Sequence, residues 1–178
     1  MAKLTGKYAF MDAVDVKLYP AGTDVSSGVP AVDPEGTITI DYLNSSALSL
    51  SVDTQYALIK GANAIPFSGN KSGTFTMDAQ AVTMEYLAMV LGGDYQEDGS
   101  ILVTDTTETP SYVLVGTFRG KQHGDNATQI FDVILFNVAA QPSVDMTLDA
   151  TSIGSFPLVL DVLADTNGQI AKIQPHAE

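Results

Sequence analysis

The chain has 178 residues, 45% of them hydrophobic, so it can bury a sizeable core in one domain or two small ones. It contains no cysteine, which excludes disulfides, thiolate metal sites and cysteine nucleophiles and fits assembly in a reducing cytoplasm. Twenty-one acidic residues face eight basic ones, for a net charge of −13, and no cluster of Lys and Arg is present that could bind a phosphate backbone.

The N-terminal residues 1–7 are polar and precede no long apolar run. We therefore expect no secretory signal, and the longest apolar stretches are too short to span a bilayer.

Strand patterns dominate from the beginning of the chain. Residues 7–19 are rich in apolar side chains, and from Val14 onwards they alternate with a period of two. Residues 22–34 have the Gly, Pro and Ser content of a long loop. Further strands are predicted, in chain order, at 36–43, 48–52, 56–60, 65–67, 72–77, 101–104, 111–118, 129–138, 143–148, 156–163 and 169–173.

One segment has helical periodicity. Gln80 to Leu91 places four apolar side chains on one predicted face, namely Met84, Leu87, Ala88 and Leu91. Asp78 lies where it could cap the first turn, and Gly92-Gly93 follows where a left-handed stop belongs. This pattern predicts a single helix that covers the sheet packing.

The last two predicted strands are separated by Asn167-Gly168, whose residues both tolerate positive φ. The dipeptide predicts a tight hairpin. Many short strands and one helix, without a linker or a change in composition, predict a mainly β single domain over 1–178. Its expected architecture is an antiparallel β-sandwich or barrel with the helix at its flank.

The sequence offers little for catalysis. His123 lies in a Gly- and Asn-rich segment typical of a hairpin tip, and His176 lies so close to the C-terminus that disorder is expected. No nucleophile elbow, phosphate-binding loop, zinc-binding helix or dinucleotide fingerprint occurs. We therefore expect neither an enzyme nor a cofactor.

The nearest approach to a metal motif is Asp94 to Gly99 followed by Asp105. Gln96 stands where a calcium loop has Asp or Asn, and Asp105 stands where it has a bidentate Glu. A solvated acidic turn is the better interpretation, so we predict no metal site.

Charge is distributed unevenly. No Lys or Arg occurs between Lys71 and Arg119, whereas seven acidic residues do: Asp78, Glu85, Asp94, Glu97, Asp98, Asp105 and Glu108. A self-repelling, soluble surface is one interpretation. A surface that repels a passing nucleic acid is the other.

Two blocks carry a resemblance to a known family. GTFTMDAQAVTMEYLAMVLGGD (Gly73 to Asp94) joins a strand, a helix and a Gly-Gly stop, and FPLVLDVLADTNGQIAKI (Phe156 to Ile173) closes the chain. In this order the features resemble the major tail (tail tube) proteins of long-tailed bacteriophages. The resemblance implies a β-sandwich with one helix, in a virion subunit that forms hexameric rings. It further implies that the rings, assembled in the host cytoplasm, stack into a hollow tail tube with an acidic lumen.

The resemblance also implies partners. These are further copies of the chain and other tail proteins, while DNA passes along the wall without being bound and no membrane is involved. The candidate lumen residues are Asp94, Glu97, Asp98, Asp105 and Glu108. The candidate ring-to-ring contacts are Val25, Val29 and Val32 of the long loop.

Three alternatives stay open. A capsid decoration or neck connector protein would also be small and β-rich, but would form trimers or a single ring. A carbohydrate-binding or adhesin module would need exposed aromatic side chains, and the chain has no Trp. An enzyme with an unmarked acidic site is the third.

Overall fold

The computed structural model describes residues 8–26, 28–40, 43–59, 62–79, 82–104, 110–122, 128–141 and 156–176. These residues form a mainly β, antiparallel fold with one short helix, as the sequence predicts. The elements are β1 (Tyr8–Pro20), β2 (Ile38–Ile40), β3 (Leu43–Ile59), β4 (Ala62–Ala79), α1 (Met84–Leu91), β5 (Asp94–Tyr95), β6 (Ile101–Leu102), β7 (Ser111–Gln122), β8 (Thr128–Ala140), β9 (Phe156–Val162) and β10 (Ala171–Pro175). The predicted strand at 143–148, residues 41–42 of the predicted strand at 36–43, and His123 lie outside the described residues.

The main sheet has the strand order β2-β1-β7-β8-β9-β4-β3, and β10 pairs with β8 beside this path. Side chains from both ends of the order meet in one core, so the sheet folds over on itself as a sandwich does. Strands β5 and β6 form a separate two-stranded sheet next to the helix.

Strand β8 changes partners along its length. Against β7 its register shifts between Tyr112↔Val138 and Leu114↔Leu135, which is a β-bulge with an extra residue in β8. Beyond the bulge, residues 138–140 pair with β9, whereas residues 131–135 pair with β10. The bulge therefore bends β8 where its free edge passes from one strand to the other.

This arrangement corrects one prediction. A turn does form at Asn167-Gly168: Gly168 has φ 76°, and the Asp165 carboxylate accepts hydrogen bonds from the Asn167 and Gln169 amides. The flanking strands β9 and β10, however, each pair with β8 and not with one another. The prediction of a hairpin is wrong because residues 163–170 connect two strands that pair with successive parts of the same edge of β8.

The helix is shorter than predicted and begins at another cap. Thr83, not Asp78, occupies the N-cap, where its hydroxyl accepts a hydrogen bond from the Tyr86 amide. Asp78 instead lies in β4, opposite Pro157. The predicted stop is confirmed, since Gly92 is left-handed with φ 64° and the Gly93 amide donates to the Ala88 carbonyl.

The buried face of the helix also differs from the expectation. Ala88 is buried as predicted, but Met84 is exposed, and the other buried residues are Tyr86, Met89 and Val90. Tyr86 joins the helix to β9, since its hydroxyl donates to the Phe156 carbonyl at 3.1 Å. Of the helices in the described part of the chain, none is long and apolar enough to cross a membrane.

Apolar side chains pack on both faces of the β1-β7-β8 layer. The larger cluster includes Leu18, Leu114 and Leu135 together with side chains of β4, β9 and α1. The smaller cluster lies on the opposite face and consists of Tyr19, Val25, Val113, Val115 and Ile134, with Val29 and Phe136 packed against it. Burial on both faces explains the nearly continuous apolar run of β8.

We predict that Tyr86→Phe lowers the free energy of unfolding by about 1–2 kcal/mol, because the partly buried Phe156 carbonyl loses its hydroxyl donor. Urea denaturation followed by circular dichroism measures the change. Tyr95→Phe is the matched control: Tyr95 is exposed, so its replacement should alter stability by less than about 0.5 kcal/mol. Equal effects of the two substitutions would contradict the assigned role of Tyr86.

Candidate assembly surfaces

The long hairpin of β3 and β4 extends beyond its pairing with the rest of the sheet. The separate strands predicted at 48–52, 56–60, 65–67 and 72–77 are in fact these two continuous strands of 17 and 18 residues. On its other side β4 pairs with β9 only from Gly73 onwards. Residues 51–59 and 62–72, here called the arm, pair only with each other among the described strands. At about 3.3 Å per residue, the arm is roughly 30 Å long.

Strand β3 is also an edge. Among the described strands it has no partner beyond β4, so a row of backbone donors and acceptors is open along its outer side. The opposite edge of the sheet is β2, which has only three residues. The two edges therefore differ greatly in the length over which another chain could pair.

Apolar side chains follow this edge. The predicted alternation of Leu48, Leu50 and Val52 is present, but all three side chains are exposed. They share a face with Phe75, which lies opposite Leu48 and is buried in the core. The face of the sheet that packs in the core at Phe75 is therefore apolar but exposed to solvent along β3. An exposed apolar patch of this kind is typical of a surface that another molecule covers.

Three of the five candidate lumen residues lie together in the structure. Asp94, Glu97 and Asp98 all lie exposed on the hairpin made by β5, β6 and the turn between them, here called the acidic hairpin (residues 94–102). Asp105 and Glu108 lie outside the described residues. Hydrogen bonds from the Ser100 hydroxyl and amide lower the pKa of Asp98, so its carboxylate stays charged.

A metal role finds no support in this hairpin. Asp98 uses one carboxylate oxygen to close the turn by accepting from Ser100. Within the part of the chain that the structure describes, no three His, Asp or Glu side chains are close enough to hold a metal ion.

The long loop is folded against the sheet. Residues 21–26 and 28–37, here called the covering loop, cross the outer face of β7 and β8. Val25 is buried at 2% exposure and Val29 is half-buried, and both pack in the smaller apolar cluster. Only Val32, at 82% exposure, is free for a contact with another subunit.

The sequence analysis missed a contact between a buried carboxylate and a histidine. Asp132 of β8 is 1% exposed, and its Oδ1 atom lies 2.8 Å from Nδ1 of His176. The Thr117 hydroxyl donates to the same oxygen at 3.4 Å. His176 is therefore held in place, against the expectation of disorder, and its amide also donates to the Ile130 carbonyl. The available signal was an Asp inside the apolar run IFDVILF, because a buried carboxylate requires a partner.

The geometry of this pair is that of a structural contact. In a hydrolytic triad the hydroxyl faces the imidazole and the imidazole faces the carboxylate. Here the hydroxyl and the imidazole both face the carboxylate. Among the described residues, Tyr19 and Tyr86 are buried, and burial raises the pKa of both; the Asp33 carboxylate raises the pKa of Tyr19 further.

Comparison with known proteins adds no relative. No protein-family model matches this chain, and no curated protein is significantly similar to it.

We predict that Val25→Ala lowers the free energy of unfolding by roughly 1–3 kcal/mol, because it leaves a cavity in the smaller apolar cluster. Val32→Ala removes the same atoms from an exposed position and should change stability by less than about 0.5 kcal/mol. Thermal or urea unfolding of the two variants gives the comparison. Equal stability of both would mean that the covering loop does not pack on the sheet in solution.

Proposed function

We propose that this chain is a structural virion protein that assembles with copies of itself into stacked rings, forming a hollow phage tail tube through which DNA passes. The observation that carries the proposal is the open β3 edge with its arm. Two-stranded ribbons are at best marginally stable alone in water, so the arm is expected to gain its stability from contact with another subunit.

The two unequal edges favour rings over closed pairs. A contact between the long β3 edge and a different surface of the next subunit is heterologous. Heterologous contacts close into rings when the rotation between neighbours permits it. In this proposal the backbone of β3 supplies hydrogen bonds to the neighbour, and the exposed Leu48, Leu50 and Val52 supply apolar contact.

The charge supports the passage of DNA. A subunit with net charge −13 repels phosphate, so a channel lined by its carboxylates would let DNA slide without adhesion. The acidic hairpin is the described element that concentrates such carboxylates, and we propose that it faces the lumen.

We expect the purified protein at high concentration to form hollow, regularly striated tubes in negative-stain electron microscopy. Leu50→Lys should abolish the tubes without unfolding the chain, because it places a charge on the β3 edge. Met84→Lys, an equally exposed position on α1, is the control and should still form tubes. Discrete trimers would refute the tube and favour a decoration protein, and a monomer at every concentration would refute self-assembly altogether.

A second prediction concerns the lumen. Replacing Asp94, Glu97 and Asp98 together by Lys should slow DNA release from virions built with the variant, because the new cations bind passing phosphates. The control changes the net charge equally by replacing Asp15, Asp24 and Glu35 by Lys. Release kinetics measured by dye uptake should slow only in the first variant. Unchanged release there would place the acidic hairpin outside the channel.

A further inference from the structure

The covering loop is held on the sheet by polar contacts around an apolar centre. On the β1 side, the Asp33 carboxylate accepts hydrogen bonds from the Lys17 ammonium at 2.6 Å and from the Tyr19 hydroxyl at 3.2 Å. Between these contacts and β10, Val25 and Val29 pack on the apolar side chains of β7 and β8. One end of the loop is thus attached to β1.

The other end of the loop rests on the C-terminal strand. The Lys172 ammonium of β10 donates to the Ser26 carbonyl at 2.7 Å. Gly28 is buried directly above β10 with φ +121°, and a Cβ added there would lie 2.9 Å from Nε2 of Gln174. It would also lie 3.7 Å from Oδ2 of Asp132. The positive φ favours glycine at this position, and any side chain there would displace the Gln174 amide group.

Strand β10 is in turn held by the residue that follows it, His176. The His176 imidazole pairs with Asp132, and the His176 amide donates to the Ile130 carbonyl at 2.9 Å. Asp132 lies directly opposite Gln174 in the β8–β10 pairing and opposite Thr117 in the β7–β8 pairing. If β10 leaves, the buried carboxylate loses its imidazole partner, and Gly28 loses the surface on which it rests.

We propose that β10 and the covering loop form one clasp, pinned by His176 and Asp132, which opens as a unit and uncovers the apolar outer face of β7 and β8. The surface released consists of Tyr19, Val113, Val115, Ile134 and Phe136. The coupling has two physical causes: the Lys172–Ser26 hydrogen bond joins the two segments directly, and the Gly28 contact ties their packing together. The clasp is a property of the single chain and does not depend on the tail-tube proposal.

Native-state hydrogen exchange followed by NMR tests the coupling. The Phe136 amide, bonded to the Ile170 carbonyl, reports on the docking of the C-terminal segment, and the Gly28 amide, bonded to the Val25 carbonyl, reports on the loop. His176→Ala should accelerate exchange at both amides by about tenfold, since one charge-assisted hydrogen bond contributes roughly that factor. His176→Gln, which retains a donor, should restore part of the protection.

Lys172→Met tests the clasp from the other segment, and Lys121→Met is its control because Lys121 is an exposed lysine of β7. Lys172→Met should also accelerate exchange at Gly28 and Phe136 together, whereas Lys121→Met should leave both rates unchanged. Faster exchange at Phe136 with an unchanged rate at Gly28 would show that the two segments open separately. Unchanged rates at both amides in His176→Ala would show that the contact between His176 and Asp132 holds neither segment. If His176→Ala does not fold, the Lys172→Met result decides the coupling by the same criterion.

Discussion

The bulge in β8 is the constraint on which the rest of the structure depends. A straight strand offers each of its edges to one partner, but β8 pairs with β7 along one side and with two strands, β9 and β10, along the other. The bend lets β9 continue into the β4–β3 layer while β10 stays against the β1-β7-β8 layer. The two layers and the core between them follow from this division, and so does the position of the C-terminal strand beneath the covering loop.

The sequence predicts those features that depend on local chemistry. Alternating apolar residues locate most strands, and Gly92 ends the helix because it alone tolerates the left-handed conformation required there. The predictions that were wrong concern features that depend on contacts with residues distant in sequence. Asn167-Gly168 makes a turn, but whether the flanking strands pair with each other depends on the free edge of β8, which no local pattern reveals. Thr83 and not Asp78 is the N-cap, because Asp78 is part of β4 and lies opposite Pro157 of β9.

The candidate assembly surfaces also divide into those that the local sequence reveals and those that only the fold reveals. The acidic hairpin could be located from composition, since Asp94, Glu97 and Asp98 are close in sequence and a turn brings them closer. The loop valines could not be assigned in the same way. Val25, Val29 and Val32 are chemically identical, and only the fold separates the two that pack on the sheet from the one that is exposed. The Asp132–His176 pair joins residues 44 positions apart and becomes visible only when β10 is placed beside β8.

Two apolar surfaces of the protein differ in whether the chain itself covers them, and this difference bears on how the protein could assemble. The apolar outer face of β7 and β8 is covered by the chain's own loop and held there by hydrogen bonds from Lys17 and Lys172. On β3, by contrast, the side chains of Leu48, Leu50 and Val52 are exposed, and they lie beside the open backbone edge. Natural sheets usually protect such an edge with charge, proline or a bulge, because it otherwise pairs with other chains. From Ser45 to Val52 the strand carries no charged residue and no proline, and its register against β4 is unbroken. An edge left unprotected in a chain that covers its other apolar face is better explained as a contact surface than as a defect, and its asymmetry favours head-to-tail assembly over a twofold pair.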